Sequence, residues 1–191
     1  MKFQKPARSL DFPKMEEGIL ERWKAEKTFQ RSIDEKDPAN GWFFYDGPPF
    51  ATGLPHHGHL LAGTIKDVVP RYWAMRGKRI ERRFGWDCHG LPVEFEIEKQ
   101  LDLKGRQDIL HYGVDRFNEA CRSIVLRYAS EWRTTVERMG RWIDFDRDYK
   151  TMDPSFMESV WHIFKTLWDK GLIYEDKMVL PYSTRVASPL S

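Results

Sequence analysis

The chain has 191 residues, 41% of them hydrophobic and 31% charged, with a formal net charge of +2. That length can bury the core of an ordinary domain, and that balance excludes a disordered chain. The near-neutral charge makes no case for nucleic-acid binding from composition. Two cysteines, Cys88 and Cys121, argue against a disulfide framework or a four-cysteine zinc site.

The first ten residues carry three basic groups and no apolar run, so no signal peptide is expected. No segment approaches the length of a membrane span. A reducing, cytoplasmic setting is the default expectation.

An N-terminal arm, residues 1–40, ends in a helix expected from Pro13 to Lys27. Pro13 suits a first turn, Glu16 and Glu17 suit the positive end of the helix dipole, and Met15, Ile19 and Trp23 recur every four residues. Ile33 to Asn40, with Asp34, Asp37 and Pro38, reads as a loop. Trp42 to Tyr45 is a short apolar run between breakers, the pattern of a central parallel strand.

A turn rich in glycine and proline follows, from Asp46 to Pro55, and then His56-His57-Gly58-His59. The next helix is predicted from Leu60 to Met75, burying Leu60, Leu61, Ile65, Val68 and Tyr72 and ending at Gly77. Pro70 removes the bond to the Lys66 carbonyl and should kink or split it. Arg79 to Phe84 reads as the second strand. Gly85-Trp86-Asp87 then leaves its carboxyl end beside the first loop, where open α/β sheets bind ligands.

Past Gln100 the pattern is helical. Val114 to Met139 carries Phe117, Cys121, Ile124, Tyr128, Trp132, Val136 and Met139 at helical spacing. Pro154 to Lys170 does the same with Phe156, Val160, Ile163 and Leu167, and Gly171 stops it. Aromatic residues on these stripes are read as core rather than as a binding groove. Ile173 to Tyr182 reads as a short strand pair turning near Glu175-Asp176. The expected divisions are thus residues 1–40 (arm), 41–100 (first half of an α/β core), 101–172 (helical segment) and 173–191 (strand pair).

Chemistry concentrates where the first strand gives way to the helix. Exposed N–H groups of a first helical turn and the positive end of its dipole favour anions. Gly58 lets a flat ring approach the backbone. The imidazoles of His56 and His59 can donate to phosphoryl oxygens as charge moves onto them. These residues read as a nucleotide-activation site. Arg71, Arg76, Lys78, Arg79, Arg82 and Arg83 form a basic cluster, usually a solvated face, with phosphate or RNA contact as the alternative.

The runs Gly47 to His59, Gly85 to Glu94, and Trp142-Ile143-Asp144 with Tyr149 and Thr151 closely resemble the isoleucyl-tRNA synthetases, a family of class I aminoacyl-tRNA synthetases. The resemblance covers essentially the whole chain, and Trp-Asp-x-His-Gly-Leu-Pro-Val-Glu is what favours isoleucine over the valyl and leucyl types. It implies the first half of a Rossmann-like parallel sheet followed by a mostly helical segment. It implies that His56 and His59 contact the phosphates of ATP and act in catalysis, that Gly58 packs against adenine, and that Gly47, Pro48 and Asp87 hold the amino acid. The implied reaction is attack of the L-isoleucine carboxylate on the α-phosphate of Mg-ATP, giving the adenylate and pyrophosphate, then transfer to tRNA(Ile). His57 stands where the family motif has isoleucine and is assigned no chemistry.

By the same resemblance, a Lys-Met-Ser-Lys-Ser loop, an editing domain and an anticodon-binding domain are missing. The chain is expected to be an N-terminal piece of a longer protein, stopping about where the editing insertion opens. Ser183 and Val186 fall where bacterial relatives often carry a zinc-binding cysteine pair, so no zinc site is expected.

Four other readings remain, the first being a fragment of a valyl- or leucyl-type synthetase. His56, His57, His59, Cys88 and His89 could form a metal site, although histidines one and two apart lack the usual i, i+4 spacing. The chain could be a smaller nucleotidyltransferase with the same signature, or a noncatalytic RNA-binding fragment. Asp87 has a plainer alternative as well: a carboxylate after a strand can simply cap the next turn or helix.

Overall fold

The computed structural model describes residues 9–50, 52–184 and 188–190, apart from the side chain of Leu126. The basic N-terminal residues 1–8 and Val186, on which the leader and zinc expectations partly rest, lie outside them. The chain divides into two compact units, Met1–Asp153 and Pro154–Ser191.

In the first unit, helix α1 (Phe12–Ala25) starts at Asp11, whose carboxylate accepts from the Lys14 N–H at 3.2 Å, and Pro13 lies in the first turn. Glu16 is not in that turn; it pairs with Arg138 at 3.0 Å. Lys27 then adopts a left-handed conformation (φ 51°), which ends one helix and starts α2 (Thr28–Asp34). Ile33, expected in a loop, is therefore helical and buried.

Strands β1 (Gly41–Tyr45), β2 (Arg79–Trp86) and β3 (Asp144–Lys150) form a parallel sheet in the order β1-β2-β3. Two expectations change. The first strand is an edge rather than the centre among the described residues, with Phe43 and Tyr45 exposed. Residues 101–172, read as helical, contain β3; its composition, Asp-Phe-Asp-Arg-Asp-Tyr-Lys, lacks the apolar run that marks a buried strand. Alternate β2 residues Ile80, Arg82, Phe84 and Trp86 are buried on one face, as strand geometry dictates.

Helix α3 (His57–Met75) connects β1 to β2 and runs unbroken through Pro70. The expected core stripe faces outward: Leu61, Ile65, Val68 and Tyr72 are all at least half exposed. The buried residues are Pro70 and Ala74, because α3 meets β2 through that side, where the Arg82 guanidinium donates to the Pro70 carbonyl at 3.1 Å. Burial pulls the Arg82 pKa down to about 10, and the rings of Phe29 and Trp142 lie 5.5 and 6.0 Å from its guanidinium.

Three helices join β2 to β3: α4 (Leu91–Leu101), α5 (Arg106–Tyr112) and α6 (Val114–Arg138). Helical character thus begins nine residues before Gln100. Phe117, Ile124, Trp132 and Val136 of α6 are buried with Phe84, Trp86, Val93, Ile97 and Ile143 in one core, as their spacing predicts, while Met139 is exposed. Each such side chain stabilises the fold by roughly 1.5–3 kcal/mol on burial.

The basic cluster is not a uniform patch. Arg71 pairs with Asp67 and donates to the Gly140 carbonyl, Arg79 pairs with Glu81, and Lys78 bonds Asn40.

In the second unit, α7 (Pro154–Asp169) matches the expected helix, and Gly171 (φ 67°) follows its end. Its apolar stripe has no buried residue. The segment expected as a strand pair, Ile173 to Tyr182, has no regular structure up to Pro181. The pair is instead β4 (Tyr182–Ser183) with β5 (Ser188–Pro189), antiparallel and closed by the Leu190 N–H on the Pro181 carbonyl at 2.8 Å.

Candidate active site at the first crossover

The carboxyl ends of β1 and β2 carry the site. Asp46 continues the ladder, its N–H donating to the Arg83 carbonyl at 2.9 Å. Beyond it the loop doubles onto the end of β2: the Asp87 N–H donates to the Pro49 carbonyl at 2.9 Å, and Phe50 bridges Asp87 in parallel. The loop is also tied to α6, where the Trp132 indole N–H donates to the Gly53 carbonyl at 2.7 Å. Gly47, Pro48 and Asp87, expected to hold the amino acid, therefore lie on two segments that are directly bonded to each other.

His56 is the N-cap of α3, and His59 is the third residue of its first turn. The two form a reciprocal capping box. The His59 N–H donates to Nδ1 of His56 at 3.4 Å, and the His56 N–H donates to Nδ1 of His59 at 3.3 Å. Their rings stack, with centroids 3.6 Å apart and planes 21° from parallel. A neutral imidazole that accepts at Nδ1 carries its proton on Nε2. Both rings therefore keep an Nε2–H donor for a ligand. His56 is exposed, and His59 is partly covered by Trp132, whose ring centroid is 4.8 Å away. Burial lowers the His59 pKa, and the charges of His56 and Lys66 lower it further. It is thus a neutral donor over more of the pH range than a free imidazole.

The flat ring lying against Gly58 is that of His56 itself. A Cβ at Gly58 would stand 3.0 Å from the His56 ring, tighter than carbon atoms ordinarily pack. A nucleobase on the same glycine must share or take that position. His57 and His89 are exposed. Among the described residues, no group of three or more His, Cys, Asp or Glu could hold a metal ion.

Asp87 does not cap α4. Gly90 is at that position, and no side chain caps the helix. The next amide instead receives help from β3's end, the Cys88 N–H donating to the Thr151 hydroxyl at 2.9 Å. Tyr149 of β3 lies across Gly85, where any Cβ would meet its ring, and its hydroxyl donates to the Asp46 carbonyl. Burial raises the Tyr149 pKa, and the carboxylates of Asp46 and Asp87 raise it further, so both acids are within its electrostatic reach.

One charged group was not legible as a site residue. Asp46 is 2% exposed and lies between two cations, Lys66 Nζ at 2.7 Å and an Arg141 guanidinium nitrogen at 2.8 Å. In the sequence Asp46 looks like a turn residue before Gly47-Pro48. Its only signal was position, a carboxylate at the carboxyl end of a strand.

The model of the class I tRNA synthetases (I, L, M and V) matches residues 18–191. An isoleucine–tRNA ligase of Treponema denticola is 57% identical over 182 residues, 95% of this chain and 16% of that protein. Isoleucine–tRNA ligase 2 of Pseudomonas fluorescens is 58% identical, over 94% of this chain and 18% of its own length. The cytoplasmic isoleucine–tRNA ligase of Mus musculus is 55% identical, over 98% and 15%. The chain thus spans less than a fifth of the length of these relatives. Among solved structures, the Agrobacterium radiobacter LeuRS in a ternary complex with tRNA and LeuAMS superposes with a TM-score of 0.63 at 18% identity. That match covers 94% of this chain and 20% of that one, and it is consistent with a Rossmann-like α/β fold.

Proposed function

This chain belongs to the class I tRNA synthetases of the I, L, M and V group, and from that membership we propose that it is the N-terminal part of an isoleucine–tRNA ligase. In this reading residues 41–100 are the first half of the catalytic core, and the remainder of a longer chain completes it. The single observation that carries the reading is the bond between the two candidate half-sites, the Asp87 N–H on the Pro49 carbonyl at 2.9 Å. It ties the segment that carries Asp87 to the loop that runs from Gly47 to His56 and His59, which supports reading the two as one site.

The amino acid lies against Gly47 and Pro48, with its ammonium on the Asp87 carboxylate. ATP meets the first turn of α3, with adenine at Gly58 and phosphates at His56 and His59. The isoleucine carboxylate oxygen attacks the α-phosphorus, the bond to the bridging oxygen breaks, and pyrophosphate leaves with that electron pair. The chain supplies no nucleophile, since phosphoryl chemistry is served by positioning and charge stabilisation. The two Nε2–H groups donate to oxygens on which charge develops. Mg²⁺ arrives with ATP and neutralises phosphate charge; the resemblance leaves no zinc in this segment. The adenylate then passes its acyl group to tRNA(Ile), in the cytoplasm. Among the described residues, no helix is long and apolar enough to cross a membrane.

The test is ATP–pyrophosphate exchange by the full-length protein with isoleucine, valine and leucine in turn. Isoleucine should give the highest kcat/KM by at least tenfold. Preference for leucine or valine would overturn the specificity, and exchange with none of them would overturn the function.

A further inference from the structure

Asp46, Lys66 and Arg141 form a charged cluster that no step above uses. A carboxylate taken out of water costs several kcal/mol unless it is paired, on the order of what a small domain can spare. Asp46 is 2% exposed and meets a cation at each oxygen, at 2.7 and 2.8 Å, close in distance but off the axis of a directed hydrogen bond. One carboxylate thus faces two cations.

The two cations differ in what else they touch. The Arg141 side chain is 9% exposed and packs beside Gly63 of α3, 3.5 Å from where a Cβ would stand. Lys66 is 35% exposed, and its ammonium also donates to the Gly47 carbonyl at 3.1 Å. Lys66 is seven residues after His59, two turns along the same face of α3. Its charge is felt at the His59 ring. One side chain thus joins the helix that carries both histidines to the peptide that begins the amino-acid seat.

We propose that Lys66 is a positioning residue for the amino-acid substrate: by clasping Asp46 and the Gly47 carbonyl it fixes the Gly47-Pro48 peptide relative to α3. This rests on the reading of Gly47 and Pro48 as the amino-acid seat. Lys66 acts through the loop and does not itself touch the reacting atoms. Without it the Asp46 carboxylate keeps Arg141, so the fold survives, while the Gly47 carbonyl loses its only side-chain donor among the described contacts.

The experiment uses the full-length protein with Lys66→Met and Lys66→Arg, measuring isoleucine-dependent exchange, both substrate KM values and the melting temperature. Lys66→Met should raise the isoleucine KM at least tenfold while the ATP KM stays within twofold. Lys66→Arg, which restores a cation and a donor, should recover most of the loss. An isoleucine KM within twofold of the parent in Lys66→Met overturns the proposal, as does an equal rise in both KM values. An unrecovered loss in Lys66→Arg also overturns it if the melting temperature falls with it, since that marks a merely structural lysine. Failure of the parent itself to exchange with isoleucine overturns the reading on which the proposal rests, and is seen before any variant is compared.

Discussion

The indole N–H of Trp132 donates to the carbonyl oxygen of Gly53 at 2.7 Å, so a residue of the hydrophobic core holds the loop between β1 and α3. Phe84 and Trp86 of the central strand pack edge-on to the same ring, and His59 rests 4.8 Å from it. Core packing and loop placement share one side chain.

Trp132→Phe keeps an aromatic ring but leaves the Gly53 carbonyl without its donor. Loss of one partner from such a bond costs about 1–3 kcal/mol. Chemical denaturation should show a loss in this range, and the full-length protein should show a raised ATP KM. A variant with unchanged stability and unchanged ATP KM would mean that the loop is held by other contacts.

Gly85 is on the central strand, and Tyr149 occupies the space of its absent side chain. Gly85→Ala must displace that ring and with it the bond to the Asp46 carbonyl. Overpacking of this kind costs roughly 1–3 kcal/mol. Urea unfolding should show it, and Tyr149→Ala in the same background should relieve part of it. Additive losses in the double variant would show that the two residues do not meet.

These two contacts show where the sequence was legible and where it was not. Local patterns were: the apolar run before a Gly/Pro turn marked β1, and the spacing of Phe117, Ile124, Trp132 and Val136 marked α6 and its buried face. The helix expected from Leu60 begins at His57 instead, so the histidine signature forms its cap and first turn, and a glycine between the rings does permit close approach. Long-range relationships were not. β3 is mostly charged and acquires strand structure from pairing with β2, across a register break between Arg83 and Gly85. Nothing near Asp46 announces that Lys66 and Arg141 will enclose it. The outward stripe on α3 misled in the other direction, since periodicity reports an apolar face without saying what covers it.

That stripe has a consequence for the 191-residue chain in isolation. Leu61, Ile65, Val68 and Tyr72 leave apolar surface exposed on α3, and Phe43 and Tyr45 do so on β1, an edge strand among the described residues. Such surfaces drive association. Light scattering should show self-association at micromolar concentration, and thermal melting should be broad or irreversible. A sharp, reversible, monomeric transition would contradict this.

The lowered pKa of His59 sets a pH dependence. Burial first, and then the charges of His56 and Lys66, disfavour its protonated form in the folded chain. Near and below the ordinary value of 6.5 the unfolded chain binds more protons at this site. This site's contribution therefore falls as pH drops through 6.5, and it stops changing below the folded pKa. An NMR titration of His59 should give a midpoint below 6.5, and a midpoint at or above that value would contradict the packing against Trp132.

Cys88 is buried, with its amide on Thr151 and its thiol facing the Trp86 carbonyl at 3.4 Å. Burial raises its pKa, so little thiolate is present at neutral pH. Alkylation of the native full-length protein should leave Cys88 unmodified for as long as it stays folded. Rapid labelling at neutral pH would show that the end of β2 opens.

The most direct test compares two variants of the full-length protein in isoleucine-dependent ATP–pyrophosphate exchange, Asp87→Ala and His59→Ala. Asp87→Ala should raise the isoleucine KM at least tenfold with the ATP KM little changed, while His59→Ala should lower kcat at least a hundredfold with isoleucine binding retained. If both variants kept parental kinetics, the paired ends of β1 and β2 would not be the place where amino acid and nucleotide meet.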